Sequence, residues 1–450
     1  MKTRMLVVLF AGVFAACSST GGSPQPKVTL HYQPVAAVAP AAQGITSASL
    51  TSPVPARGIV NRFDHTIWFY LPASAGLTNL TPVIVTAPGV SVTSTVPPTP
   101  FDLSSGSATY HLSDGSTYTV QATNIVPSAA TVNQGLGNGI NLGNDLDAWP
   151  GEEGSWTSKV IAQQYFFDDY RAMGFDSVRI PVTWGASTAP ADRLSRDGGK
   201  SAVNPAFMSR VDTVAGWGLD AGLTIVINAH HEDWIRTLTG SSYQAQKARF
   251  VALWTQIAEH FKTWPPQLVF EILNEPQGRM TNPDVNDLNR TILAVIRASN
   301  PTRTVILGPN RYNALDALTD GVFSVPSPAI DAHIIANFHN YNPWTFAGQS
   351  NGTWGSDGDV SRMKSDLRKA AQWAKSRGVP LYMGEYGVTF VYTHKKTDLT
   401  SRATWYKQVH QIASENGISM AAWDDYGDFK LYDRVNRSYD SSVVPIIAGK

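Results

Sequence analysis

The sequence predicts a (β/α)8 barrel preceded by a small all-β, immunoglobulin-like sandwich. Three observations carry that expectation. The chain has 450 residues, long for one hydrophobic core, so two folded units are expected. Its texture changes near Val132, from short Thr-, Val- and aromatic-rich runs broken by turns to apolar runs alternating with helical stretches. Eight of those later runs follow one another over roughly 300 residues, the size of a (β/α)8 barrel.

Taken in order, the opening MKTRMLVVLFAGVFAACSST joins Lys2 and Arg4 to an apolar run and small residues before Cys17, the layout of an export signal. The run is short for a membrane span. The segment FAAC resembles the lipobox of bacterial lipoproteins, although Phe14 is unusual at its position. That resemblance implies a signal over residues 1–17, a lipidated Cys17, and an extracytoplasmic, membrane-anchored protein at the outer membrane or cell surface; an ordinary signal with an incidental cysteine is the alternative. Cys17 is the single cysteine, so no intrachain disulfide and no cysteine metal cluster can form. Residues 18–45, rich in Ser, Gly, Pro and Ala, suit a flexible tether. Residues 46–128 read as the sandwich, with strands in HTIWFYLP and PVIVTA and a hairpin turning at Asp114-Gly115. A spacer role is expected for it, with Trp68, Phe69 and Tyr70 in packing, and glycan binding through exposed aromatics as the alternative.

Residues 129–450 hold the eight barrel runs: GINLG (139–143), SVRIPV (177–182), LTIVINAH (223–230), LVFEILNEP (268–276), TVILGPN (304–310), IIANFHNY (334–341), PLYMGEYG (380–387) and ISMAAWDD (418–425). An open doubly wound sheet would place a glycine-rich phosphate turn after an early strand, whereas GLGNGINLG precedes its strand. Chemistry in such barrels sits at the carboxyl ends of the strands. Those ends carry Asn144, His230 and His231, Asn274 and Glu275, Asn310, His339 and Tyr341, Glu385, and Trp423, with Arg179 inside the second strand.

The fourth run raises the sharpest question, because a buried ionised carboxylate is costly without a partner. Period-two alternation puts Val269, Glu271, Leu273 and Glu275 on one face and Phe270, Ile272 and Asn274 on the other. Glu271, the deeper acid, is expected to pair with Arg179. Glu275 and Glu385, on nearly opposite strands, are expected to flank a bound sugar, one protonating the departing oxygen and the other attacking the anomeric carbon or activating water.

Together ILNEP, GEYG, RIPV, HNY, the eighth-strand Trp, GINLGNDLDA and NAHHEDW resemble glycoside hydrolase family 5, the retaining cellulase-type barrels, from near Gly135 to near Tyr439. The resemblance implies Glu275 as general acid/base, Glu385 as nucleophile, and Arg179, His230, Asn274, His339, Tyr341 and Trp423 around them. Asn144 and Trp344 are added as substrate-binding candidates from their place after strand ends. Loop tryptophans 149, 184, 234, 344 and 354 are candidate platforms for an extended polymer, with Trp354 expected to be exposed. WDDYGDF stands where Trp-Asp-Asn-Gly is frequent, and Tyr386 where Phe is frequent. The implied activity is a retaining endo-β-1,4-glucanase acting on cellulose, mixed-linkage glucan or xyloglucan; a β-mannanase or xylanase of the same fold is the alternative, and a non-catalytic glycan-binding lipoprotein a remote one.

No cofactor is expected. HHEDW does not read as a metal site, because adjacent strand residues face opposite ways and the HExxH spacing is absent. The balance of 35 Lys plus Arg against 35 Asp plus Glu argues against a nucleic-acid partner. A monomer, with polysaccharide as its partner, is expected.

Overall fold

The computed structural model describes residues 32–35, 44–149, 151–185 and 202–450. Cys17 and the predicted signal lie outside the described residues, as does most of the predicted tether.

The first described strand, β1 (Tyr32–Pro34), falls inside the stretch read as tether. It pairs antiparallel with a strand near the carboxyl terminus, Tyr32 opposite Asp440, and Tyr32 donates its hydroxyl hydrogen to the Lys430 carbonyl. The polar composition that suggested a tether hid this three-residue contact.

The sandwich comprises β2 (Ile45–Leu50), β3 (Ala56–Arg57), β4 (Ile59–Asn61), β5 (Thr66–Tyr70), β6 (Val83–Thr86), β7 (Val92–Val96), β8 (Ala108–Leu112) and β9 (Thr117–Thr123). They form a three-stranded sheet, β3-β2-β6, and a five-stranded sheet, β4-β5-β9-β8-β7, around a core that includes Ile67, Phe69, Phe101, Tyr118 and Val120. Gly115 adopts a left-handed φ of 84° at the β8–β9 turn, where the Asp114 carboxylate accepts from Ser116. Phe69 is in the core, while Trp68 and Tyr70 lie half-buried on the other face of β5, their rings 6.1 Å apart.

All eight predicted barrel runs are strands: β10 (Asn138–Asn141), β11 (Ser177–Ile180), β12 (Thr224–Asn228), β13 (Leu268–Glu271), β14 (Val305–Leu307), β15 (Ile334–Asn340), β16 (Leu381–Tyr386) and, after the short hairpin β17 (Val391–Tyr392) and β18 (Lys395–Lys396), β19 (Ile418–Ala422). They close in sequence order, every neighbour parallel. Finally β20 (Tyr432–Asp433) and β21 (Ser438–Asp440) join β1 in a small sheet. The outward residues of the barrel strands pack under the surrounding helices. Helix boundaries follow local chemistry: Ser356 and Asp359 form a capping box for the helix Asp357–Arg377, and left-handed Gly378 ends it.

Inside the barrel the layers differ in chemistry. Val226, Val269, Ile306, Ile335, Tyr382 and Ala421 form an apolar floor on which Ala129, Val132 and Leu136 of the helix Ala129–Leu136 pack, closing the amino end. Two residues further along the strands the apolar layer gives way to Asn228, Glu271 and Asn337, beside Asn141 and Arg179, all buried. The change from one layer to the next is the period-two repeat of the strands.

The sandwich docks on the barrel's amino-end side, away from the rim that holds the acids. Arg62 forms a buried ion pair with Asp168 of the helix Gln164–Met173. Arg57 pairs with Asp220 at 2.9 Å and lies over the Trp264 ring.

Candidate active site

The polar layer begins with Arg179, fully buried on β11 and using every guanidinium N–H. Its Nε and Nη2 donate to Glu271 at 2.6 and 3.1 Å, Nη1 to Asn141 at 2.9 Å and Glu385 at 2.7 Å, and Nη2 to Asn274 at 2.7 Å. The expected Arg179–Glu271 pair is therefore present and bidentate. Burial works to raise the Glu271 carboxyl, but the Arg179 charge and hydrogen bonds outweigh it and leave it below the ordinary value. Glu271 also accepts from Asn228 and Asn337.

Glu275 reaches the site by a route other than the alternation expected for it. Strand β13 ends at Glu271, and Ile272 and Leu273 both pack in the outer core. Asn274, expected on the opposite face, turns its amide to Arg179. A left-handed φ of 46° at Glu275 then redirects the chain, so that Glu275 Oε1 lies 2.9 Å from His339 Nδ1. Backbone geometry, not strand period, brings Glu275 to the cleft.

Glu385 also depends on an irregularity. The β15–β16 register shifts between Phe338 and His339, pairing His339 with Glu385. Gly384 is required beside it, because a Cβ there would stand 2.8 Å from Asn337 Oδ1. Glu385 accepts from Arg179 and, at 2.9 Å, from the Tyr341 hydroxyl. Burial raises its carboxyl above the usual range and Glu275 adds to the rise, while the Arg179 charge and hydrogen bond pull it back. Tyr341 is held well above its ordinary value by burial and by the two acids, so it stays a donor. Oxygens of Glu275 and Glu385 and a His339 ring nitrogen all lie within 4.8 Å of one another.

His230 is kept neutral by burial first and then by the charges of His231 and Arg179, which push it well below its ordinary value. Its ring nitrogens face the amides of Asn228 at 3.2 Å and Asn274 at 3.4 Å, and its ring plane lies within 2° of Trp423. Gly143 makes room for that indole, since a Cβ there would stand 2.8 Å from it. Asn144 donates to the Asp425 carbonyl at 3.0 Å, tying the loops after β10 and β19 together. Trp344 is half exposed, edge-on to Tyr341.

Several tryptophans expected as platforms are structural instead. Trp184 and Trp354 are buried, and Trp354, expected to be exposed, packs in the barrel's outer core. Trp234 is buried under Arg249; its indole N–H donates to Glu232, which also accepts from the Trp184 and Gly185 backbones. Trp156, not singled out in the sequence, is 43% exposed and meets His231 edge-on.

His230 and His231 do not face opposite ways, contrary to the alternation expected for HHEDW. Strand β12 stops at Asn228, so alternation lapses before His230 and His231. Both rings turn toward Asp147, and the three offer ligand atoms within 4.8 Å of one another. Sequence reasoning also missed Asn141, Asn228 and Asn337; each is an inward residue of a barrel strand, and polar residues at such positions in NGIN, TIVIN and IIANFHN were the available signal.

A closed parallel barrel with two facing acids on its carboxyl rim, one clamped by a buried arginine and a tyrosine, defines a barrel glycoside hydrolase. The comparisons agree. Residues 137–428 match the model of the cellulase family, glycosyl hydrolase family 5, and the chain belongs to that family. Endoglucanase H of Acetivibrio thermocellus is 36% identical over 315 residues, covering 69% of this chain and 32% of that protein. A hyperthermophilic endo-β-1,4-glucanase solved with substrate has a TM-score of 0.64 at 31% identity, covering 72% of this chain and 100% of that one. Thermotoga maritima Cel5A solved with mannotriose also has a TM-score of 0.64 at 31% identity, covering 71% of this chain and 99% of that one. The chain spans 32% and 38% of the lengths of the first two curated relatives it matches.

Proposed function

We propose that this chain is an endo-β-1,4-glucanase that cleaves with retention of configuration, Glu385 acting as nucleophile and Glu275 as general acid/base. The observation that carries this reading is the convergence of Glu275, His339 and Glu385 atoms within 4.8 Å. Carboxyls about 5 to 5.5 Å apart suit direct attack on the anomeric carbon, whereas inversion needs about 6.5 to 9.5 Å to seat a water. In the first step Glu385 bonds to the anomeric carbon while Glu275 gives its proton to the departing oxygen. In the second, Glu275 takes a proton from water, which displaces Glu385.

Arg179 and Tyr341 donate to Glu385 and stabilise its carboxylate before attack. Asn274, held by Arg179, is placed for the sugar 2-hydroxyl, and Trp423 for the apolar face of the ring at the cleaved bond. Trp156 and Trp344 extend aromatic surface beyond it. The names of the relatives favour β-1,4-glucan. Because a neighbour was solved with mannotriose, galactomannan belongs beside carboxymethylcellulose, lichenan, xyloglucan and xylan in the substrate panel.

Proton NMR of early hydrolysis tests the mechanism: the β-anomer appears first, and an initial α-anomer overturns the role of Glu385. Glu385→Ala is nearly inactive, and azide restores turnover with inverted configuration. Glu275→Ala forms the intermediate rapidly from an activated aryl glycoside and then stalls, and azide releases a product of retained configuration. Cys17, after its export-type segment, supports a lipid anchor and extracytoplasmic placement. Wild type takes up radiolabelled palmitate in a bacterial host and Cys17→Ala does not; an unlabelled wild type would remove the anchor from this reading.

A further inference from the structure

After β14 the chain runs through three consecutive left-handed residues, none of them glycine: Arg311 (φ 53°), Tyr312 (φ 62°) and Asn313 (φ 54°). Such conformations are unfavourable for L side chains and persist where surrounding contacts hold them. Here the loop is fastened on the acid/base side of the cleft. Tyr312 N donates to the Pro276 carbonyl, one residue past Glu275, and Ala314 bridges His339. The result turns the Asn313 side chain inward, fully buried, with Nδ2 3.4 Å from His339 Nε2. Its Oδ1 is buried without a hydrogen-bond partner, so the contact with His339 is the side chain's polar gain. Gly308 is shaped to it: a Cβ at 308 would stand 2.8 Å from both amide atoms of Asn313.

A second amide fixes the polarity of that contact. Asn337 Oδ1 accepts from Gly384 N at 2.9 Å and Nδ2 donates to Glu271 at 2.9 Å, so the Asn337 nitrogen is the atom facing His339 Nε2, at 3.5 Å. A ring nitrogen met by amide N–H groups is an acceptor and carries no proton, which leaves the proton on Nδ1. We propose that Asn313 is a positioning residue: with Asn337 it holds His339 as the neutral Nδ1–H tautomer, whose single donor is aimed at Glu275. The charged and titratable groups around this ring are Glu275 and Glu385, at 2.9 and 3.5 Å, Glu271 and His230, which would feel a charge placed on it, and Arg179 and Tyr341 on Glu385. A neutral donor lets Glu275 cycle between acid and carboxylate. An imidazolium would favour the carboxylate and deprive the departing oxygen of its proton.

The proposal rests on Glu275 as acid/base, and its test separates the two. Nitrogen-15 NMR of the full chain labelled at the histidine rings, with the His339 signals assigned by their loss in His339→Gln, reads the tautomer without any turnover. Wild type shows a protonated Nδ1 and a bare Nε2; a proton on Nε2 overturns the proposal. In Asn313→Asp the new carboxylate accepts from Nε2, both nitrogens become protonated, and glucan oligosaccharide hydrolysis falls by ~100-fold, within the range of general acid catalysis. Hydrolysis of 2,4-dinitrophenyl cellobioside, whose leaving group needs no proton, stays within about 3-fold. Equal losses on both substrates, or an unchanged tautomer in Asn313→Asp, overturn it. Gly308→Ala, which displaces the same amide, reproduces the selective loss, and a uniform loss there counts against the proposal. A wild type with the expected tautomer that hydrolyses no glycoside would sink the functional reading and leave the assignment of His339 standing.

Discussion

Arg179 makes five hydrogen bonds to four partners inside the barrel, and a planar fork of that reach has no substitute in lysine. Arg179→Lys therefore retains charge yet loses most activity. Arg179→Leu leaves Glu271 buried without its cation and destabilises the fold by about 3 to 5 kcal/mol, read from denaturant melts. Arg179→Leu with Glu271→Leu regains most of that stability and none of the activity; a double variant as unstable as the single one would contradict the pairing argument. The same residue bears on pH. Burial raises the Glu385 carboxyl above the ordinary value even though Arg179 opposes it. In the proposed mechanism Glu385 attacks as the carboxylate, so activity is expected to fall as pH drops through that raised value. The acidic limb of kcat/KM is expected above the ~4.3 of a free glutamate, and a limb at or below it would contradict the expectation.

Between β12 and the helix Asp233–Arg236, Glu232 does for two loops what Arg179 does for the site. It is fully buried and accepts from Trp184 N, Gly185 N and the Trp234 indole, joining the segments after β11 and β12. Glu232→Ala orphans these donors, each lost buried partner costing on the order of 1 to 3 kcal/mol, and the melting temperature falls. Burial pushes the Glu232 carboxyl up from 4.5 to about 7, against its hydrogen bonds. A carboxyl raised on folding contributes stability below its unfolded value and loses it as pH rises through the folded one. Wild-type stability should thus decline between pH 4.5 and about 7, and Glu232→Gln should flatten that slope. An unchanged slope in melts across that range would assign it to another group. On the rim, Trp344→Ala is expected to raise KM for polymer more than for short aryl glycosides, because an exposed indole beside Tyr341 offers a stacking surface beyond the two acids.

At the scale of the whole molecule the sandwich and barrel belong to one compact unit, joined by a buried ion pair rather than by linker alone. Asp168 is raised by burial and held back by Arg62. Arg62→Leu strands that acid and destabilises the intact chain by about 3 kcal/mol or more, while Arg62→Leu with Asp168→Leu recovers most of the loss. The sandwich contacts lie on the amino-end side and none of the residues around the two acids comes from it. A chain beginning at Ala129 is therefore expected to melt earlier yet turn over soluble glucan within a few-fold of the full chain. If it melts cooperatively and is inactive, the sandwich supports the site.

The sequence dictates the barrel, because each strand is an apolar run of the right length bounded by helical texture, and those signals are local. It determined the Arg179–Glu271 pair for a similar reason, since two opposite charges on inward strand positions have little choice but each other. The resemblance of ILNEP, HNY and GEYG to family motifs named Glu275, His339, Tyr341 and Glu385. Folding in three dimensions settled how Glu275 and Asn274 reach the cleft, because a left-handed residue past the end of β13 cancels the strand alternation. It also decided which tryptophans face solvent: Trp184, Trp234 and Trp354 follow barrel strands as Trp344 does, but burial depends on what the neighbouring segments bring against them. Asn141, Asn313 and Asn337 matter through partners 26 to 243 positions away, and docking through Arg62 and Asp168 spans 106. Such contacts are fixed by barrel closure and by the docking of the sandwich, and no local pattern of residues records them.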